Sequence, residues 1–444
     1  IGGGPGGLMT AYFLQKGANG PICTTLFEAS DRLGGKVLNP RFQSHPASYE
    51  AGAAEFYDYS PVDEDPLKEL IAELGLSISP IGGSAMIMNQ RILSNLDDIQ
   101  DNLGKAAREA LTAFDRTAKD WMSPREYYLA DEGVSPFTGQ TGPYFDEVLR
   151  DIPSAEARHY IENQIHSDLA TEPARTSVSY GLQNYLMNDS RYMKLYAIEG
   201  GNERFTQELA RRVSATRLLG RVVTAVSRGT DGKLVVTSRH RGIPRQDAFD
   251  FVVVALPNNC LPSIEFQGAR LSASMEAHHG HYNHPAHYLR ISILFDRPFW
   301  RTKLEDSFFM LDQFGGCCLY DETSRSPWAP HGVLGWLISG EAALEMSQWD
   351  DDALVESALA SLPPQFAEAR CCFREGKVHR WVNAVNAIPG GLTPRSLDRR
   401  HQPEPVEHPD LFVVGDYLFD STLNGTLDSA AYVANWLAAL THEH

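Results

Sequence analysis

The residues best placed to do chemistry stand at the start of the chain, in the stretch Ile1-Gly-Gly-Gly-Pro5-Gly-Gly7. Gly2, Gly4 and Gly7 have GxGxxG spacing and lead directly into Leu8, Ala11, Tyr12 and Leu14, which recur at helical intervals. A strand-to-helix turn of this kind binds a pyrophosphate. Gly2 permits the tight turn, Gly4 lets backbone N–H groups approach the phosphates, Gly7 lets the helix pack close, and the helix N-terminus favours negative charge. The apolar run Thr24 to Phe27 then ends in Glu28, where an acid about 20 residues after the turn bonds a ribose hydroxyl. Beyond it, Arg32-Leu-Gly34-Gly35-Lys36 sets two cations around a glycine pair, suited to neutralising phosphates and to close backbone approach. The strand that should precede the turn is absent, so the chain is expected to begin a few residues inside the native one.

A second set lies near the other end. Asp410 to Val414 is a short apolar strand ending in Gly415-Asp416, and Asn424-Gly-Thr426 opens a last helix from Leu427 to Leu440. A carboxylate at a strand end bonds ribityl or ribose hydroxyls, and a helix N-terminus holds the negative charge a reduced flavin carries near N1 and O2. The small-residue stretch Tyr49 to Phe56, which includes Gly52, Ala53, Ala54 and Glu55, suits close packing against a flat ring.

Other chemistry is weaker. The run His278 to His287 places imidazoles at steps of three, but Pro285 breaks a helix there and no carboxylate or thiolate completes a ligand set. A His-rich surface loop is expected rather than a metal site. There is no Ser-centred nucleophile elbow. Of six cysteines, Cys317-Cys318 and Cys371-Cys372 are vicinal and none has CxxC spacing, which suggests reduced thiols in a cytoplasmic protein.

The elements that must hold these residues follow from periodicity. Asp65 to Leu74 is a short helix. Ile99, Leu103, Ala107, Leu111, Phe114, Ala118 and Trp121 predict one long amphipathic helix from Asp97 to Trp121. Tyr144 to Ile165 and Ser177 to Met187 continue a mainly helical middle third. After Glu199-Gly-Gly201, Phe205 to Val213 is helical, followed by strands at Arg221 to Val226, Leu234 to Ser238 and Phe249 to Leu256. The last is continuously apolar, as a strand buried on both faces would be. A further strand runs from Tyr288 to Trp300, and helical spacing returns from Asp351 to Leu362.

A chain of 444 residues supports two or three lobes. Its net charge of -18 argues against nucleic acid and anionic membrane surfaces, which need clustered Lys and Arg. No apolar run reaches membrane-spanning length, and no signal peptide is visible.

These motifs together resemble the FAD-dependent flavin amine oxidases, the family of monoamine, polyamine and L-amino acid oxidases. The likeness rests on Gly2 to Gly7, on Glu28-Ala29 with Arg32 to Lys36, and on Glu199-Gly-Gly201. It rests also on Arg290 to Trp300 with its ending Phe295-Asp-Arg-Pro-Phe-Trp300, and on Gly415-Asp416 followed by Gly425 to Ser429. The resemblance implies an α/β fold, α+β overall: a Rossmann-like FAD-binding domain from 1–60, 195–265 and 375–444, a mixed-sheet substrate domain from 61–95 and 266–374, and a helical subdomain at 96–194. It places Gly2, Gly4, Pro5, Gly7, Glu28, Ala29, Arg32, Gly35 and Lys36 around the adenosine and pyrophosphate, with Lys36 where the family usually has arginine. Gly52, Ala53, Ala54 and Glu55 would lie along the flavin, Val223 would pair with adenine through its backbone, and Gly415, Asp416, Thr426 and Leu427 would meet the ribityl chain and pyrimidine edge. Trp381 would stand beside the flavin.

The departures bear on the reaction. Arg290, ten residues before Trp300, replaces the family lysine that holds a water at flavin N5, and arginine cannot serve as a base. Glu55 stands where L-amino acid oxidases carry a carboxylate-clamping arginine, and Leu423 replaces a cage aromatic. Arg290, Trp381 and Glu55 are therefore the candidate catalytic residues. The implied activity is oxidation of a C–N bond of an amine or L-amino acid by hydride transfer to FAD, reoxidised by O2 to H2O2. The alternative is an FAD-dependent desaturase or dehydrogenase acting on a non-amine substrate. A homodimer is left open.

Overall fold

The computed structural model describes residues 1–83, 85–130, 144–324, 330–390, 392 and 395–441. Helix Pro5–Gly17 follows the glycine turn, with Gly4 as its N-cap and Pro5 in the first turn, where a missing N–H costs nothing. Ile1 and Gly2 act as the middle of a parallel array. The Gly2 N–H donates to the Phe27 carbonyl and the Ala255 N–H donates to the Ile1 carbonyl, both at 2.8 Å. They thereby join the parallel pair Thr25–Phe27 and Thr216–Leu218 to the parallel pair Val252–Val254 and Leu411–Val413. Helix Pro5–Gly17 and the final helix Leu423–Thr441 share a core in which Leu8 and Met9 meet Val433 and Leu437.

A seven-stranded mixed sheet forms the second layer, in the order Phe373–Asn386, Pro285–Phe295, Gly332–Ser339, Cys317–Asp321, Phe308–Leu311, Met86–Met88 and Arg91–Leu93. Its neighbours are antiparallel except Phe308–Leu311 against Met86–Met88. Leu289, Ile291, Ile293 and Trp336 belong to a core that also holds Ala343 and Met346 of helix Gly340–Met346 and Leu354 of helix Asp351–Ala360. Side chains alternate along a strand, so Tyr288 and Arg290, like Cys318 and Tyr320, are turned to the other face. Strand Phe373–Asn386 crosses the boundary expected at 375, so residues 375–386 lie in this sheet beside Pro285–Phe295.

The middle third is helical, as its spacing predicts, with Phe114, Phe145, Ile161 and Leu182 in a common core. Several boundaries differ from expectation. The helix predicted from Asp97 to Trp121 is two, Leu96–Leu103 and Lys105–Trp121, because Gly104 at φ 91° turns the chain left-handed and ends the first. The run from Phe249 to Leu256 also divides. Phe249 ends a hairpin strand, Ile243–Phe249, and only Val252–Val254 is the buried strand; between them the exposed Asp250 pairs with Lys233 at 2.9 Å. The strand expected to reach Trp300 stops at Phe295, and a 3-10 turn over Phe299–Thr302 folds the Trp300 ring onto Phe295, centroids 5.7 Å apart. The histidine run is not a surface loop: His278, His279 and His281 lie in helix Ala269–His281, and His278 is fully buried.

Candidate active site

A cavity of about 510 Å³ runs between the parallel array and the mixed sheet. It is lined by Gly2, Gly4, Pro5, Glu28, Ala29, Gly35, Lys36, Gly52 to Glu55, Val223, Arg290, Trp381, Gly415, Asp416 and Thr426. Three expected cofactor residues do not line it. Gly7 packs behind the turn, where a Cβ would sit 2.1 Å from the Gly2 carbonyl oxygen, and Leu427 is buried in the core of the final helix. Arg32 donates to the carbonyls of Leu33 and Gly35 and approaches Glu203 at 3.7 Å, so it holds the glycine pair from behind.

At the nucleotide end the backbone makes the surface. No side chain caps helix Pro5–Gly17, so its first-turn amides are left for an anion. A Cβ on Gly35 would come 3.0 Å from Gly4 Cα, and one on Gly52 would meet the Lys36 carbonyl oxygen at 1.7 Å, so both turns require glycine to come together. The Glu28 carboxylate accepts from the Gly3 N–H at 2.9 Å and the Ser30 N–H at 2.8 Å, which fixes it at the strand end. Lys36 Nζ donates to the Ala384 carbonyl at 2.6 Å and meets Asp416 at 3.2 Å, tying three distant segments together. An uncapped helix start, a glycine cradle, a strand-end carboxylate and a cation beside Asp416 fit a dinucleotide.

The other end is built from side chains. Trp381 Nε1–H donates to the Ala51 carbonyl at 2.6 Å and so anchors the Gly52 stretch. Arg290 is fully buried. Its Nε donates to the Glu50 carbonyl at 2.9 Å, its Nη2 to Glu322 at 2.7 Å, and its guanidinium lies 4.8 Å from the Tyr320 ring centroid. Nη1 has no hydrogen-bond partner among the described residues. Glu322 in turn accepts from the Glu50 N–H at 2.8 Å, so the arginine charge is balanced beneath the cavity floor. Glu55 accepts a hydrogen bond from the Tyr320 hydroxyl at 2.9 Å.

Among the lining residues that were not anticipated are Tyr57, Asp168, Tyr288 and Tyr320. Tyr288 sits two residues before Arg290 on one strand and opposite Trp381 on the next, a shared face that alternation could have indicated. Asp168 had no local signal. It ends helix Ala155–Leu169, which is anchored to the mixed sheet by His166: this ring lies 3.1 Å from the Gly316 carbonyl and 3.0 Å from Glu172, and the Ser339 hydroxyl donates to the His166 carbonyl at 2.8 Å. Burial, and then the nearby Glu55 charge, raise the Asp168 carboxyl well above the usual carboxylate range. Burial, and then Asp168 and Glu55, likewise keep the Tyr57 hydroxyl protonated.

Comparison with known proteins bears on the family and the fold. Residues 5–437 match the family model for flavin containing amine oxidoreductases. The fold is similar to that of cyclohexylamine oxidase from Brevibacterium oxydans IH-35A, with a TM-score of 0.74 and 18% identity over 100% of this chain and 98% of that one. A wild-type putrescine oxidase bound to putrescine gives 0.72 and 19% over 100% and 98%. A putative protoporphyrinogen oxidase from Exiguobacterium sp. 255-15 gives 0.67 and 17% over 99% and 98%. A sequence search of curated proteins finds no match. Among the described residues no helix is long and apolar enough to cross a membrane. With the family model spanning nearly the whole sequence and a Rossmann-like cavity cut to a dinucleotide, the chain belongs to the flavin-containing amine oxidoreductases and is an FAD-dependent oxidoreductase.

Proposed function

We propose that this enzyme oxidises the C–N bond of a small cationic amine, with O2 as acceptor and H2O2 as product. The observation that carries the proposal is the placement of Glu55 and Asp168 on one cavity wall, near enough for their charges to act on each other, Asp168 having no ion pair among the described residues. Two carboxyl groups in a partly dry site cannot both ionise cheaply, so Asp168 keeps its proton until another positive charge arrives. A substrate ammonium is such a charge. An amino acid would bring its own carboxylate against the pair, and Arg290 does not compensate because Glu322 already neutralises it. Tyr57, Tyr288 and Trp381 add ring surfaces that favour alkyl and ammonium groups.

The glycine turns, Glu28, Lys36, Asp416 and the Gly52 stretch would hold FAD, which when bound would supply the acceptor for a hydride from the carbon bearing nitrogen. The chain's own residues prepare the amine. Glu55, oriented by the Tyr320 hydroxyl, binds the ammonium beside Asp168 and takes up its proton, since only a neutral amine releases hydride readily. The reduction rate therefore rises with pH as the amine and the pair lose protons. The test is anaerobic mixing of the yellow holoenzyme with a panel of amines and L-amino acids. Bleaching by amines, with peroxide on readmitting air, is expected. Bleaching by amino acids alone would overturn the amine assignment. Arg290 in place of a base-capable lysine favours one other reading, a desaturase or dehydrogenase, and bleaching only by a carbon–carbon donor would establish it.

A further inference from the structure

A second cavity of about 250 Å³ adjoins the first, and Glu55, Asp168 and Tyr320 line both. It lies between the end of the helical region and the mixed sheet. Met187, Met193, Phe308 and Met310 give it an apolar and adaptable wall. Asn188, Ser190 and Lys194, on its rim, are exposed. The cavity thus leads from solvent to the carboxylate pair. Gly83 closes one side tightly, since a Cβ there would sit 2.0 Å from the Phe308 carbonyl oxygen.

We propose that this outer chamber is the substrate's route inward and seats the hydrocarbon tail of a linear amine whose ammonium is held at Glu55 and Asp168. The proposal rests on the amine reading above and names the substrate class as long-chain alkyl amines. The three shared residues form a neck: the polar atoms of Glu55 and Asp168 select the head group, and the methionine-lined wall beyond them takes carbon. A tail reaching past the neck would bury its methylenes one after another, tightening binding by roughly threefold to fourfold for each.

The test titrates the holoenzyme anaerobically with propylamine, pentylamine and octylamine, and with 1-octanol as an uncharged probe. Dissociation constants are read from the perturbation of the visible flavin spectrum and, separately, from the concentration dependence of flavin reduction. Affinity is expected to climb with chain length. Ser190→Trp, at an exposed rim position, is expected to cut the preference for octylamine over propylamine by tenfold or more, and Asn188→Trp serves as a second obstruction from the same rim. A flat chain-length series, or variants that weaken short and long amines equally, would overturn the chamber. If no amine perturbs or bleaches the flavin but 1-octanol binds and is displaced by Ser190→Trp, the amine reading fails and the chamber stands. If 1-octanol and octylamine are both insensitive to both tryptophans, the chamber falls whatever the amine result.

Discussion

The two ends of the main cavity are made in opposite ways. The nucleotide end is a surface of main chain: Gly2, Gly4, Gly35 and Gly52 remove side chains so that amides and turns can close around a cofactor. The substrate end is a surface of large and charged side chains, with Arg290, Tyr288, Trp381, Tyr320, Glu55 and Asp168 brought from five separate segments. At Gly2 and Gly52 the first tolerates no added atom. On the amine reading the second would select its substrate by charge and ring placement, which is where related enzymes can diverge in substrate while keeping one cofactor.

The contrast can be broken most severely at the glycines. Gly52→Ala forces a Cβ into the Lys36 carbonyl, and Gly2→Ala adds a clash 2.3 Å from the Ala255 carbonyl oxygen at φ 102°. Either variant is expected to purify colourless or unfolded, measured as flavin absorbance per protein. Next comes Arg290→Met, which strands buried Glu322 and is expected to cost about 3–5 kcal/mol of stability in denaturant unfolding. Arg290→Lys, which keeps the charge, should recover most of that loss, and a lysine variant no more stable than methionine would show that the ion pair is not what holds this floor.

Smaller effects separate the two ends by pH. Asp168→Asn is expected to lower amine kcat/KM by about thirtyfold, roughly 2 kcal/mol. It should also raise Tm at alkaline pH. The reason is that the folded Asp168 carboxyl titrates well above its unfolded value, so wild-type stability falls as pH rises between the two, and asparagine removes that loss. The nucleotide end fails in acid instead. Burial pushes His278 down to about 3 and His401 down to about 4. His278 meets the Tyr417 hydroxyl at 3.4 Å, and His401 meets Ser429, which accepts from the Gly415 N–H at 3.1 Å, so both support the Gly415-Asp416 strand end. Each is neutral when folded and protonates readily when unfolded. Their contribution is complete above pH 6.5 and is lost toward the folded values, by about 1.4 kcal/mol per pH unit per histidine. Release of flavin, followed by fluorescence, should therefore begin below about pH 6.5 and be delayed in His401→Gln.

Much of the nucleotide end was legible because its information is local. The turn at Gly2 to Gly7, Glu28 at the end of its strand and the Gly415-Asp416 strand end each lie within a few consecutive residues, and each lines the cavity in part. Local signals misled where one residue redirects the backbone. Gly104 lies within an unbroken apolar rhythm, and Asp250 divides a run that composition alone reads as one strand.

By itself, the sequence determined the glycine turn and the helical middle third, because glycine spacing and hydrophobic period constrain main chain over short distances, and its motifs carried the resemblance that implies the family and FAD. Only the tertiary structure decided that Arg290 is neutralised by Glu322, that Arg32 braces a turn from behind, and that Asp168 and Glu55 line the same two cavities. Those facts depend on which side chains a sheet face and a helix end bring within reach of one another. Charge balance and desolvation act through space, and no spacing along the chain records them.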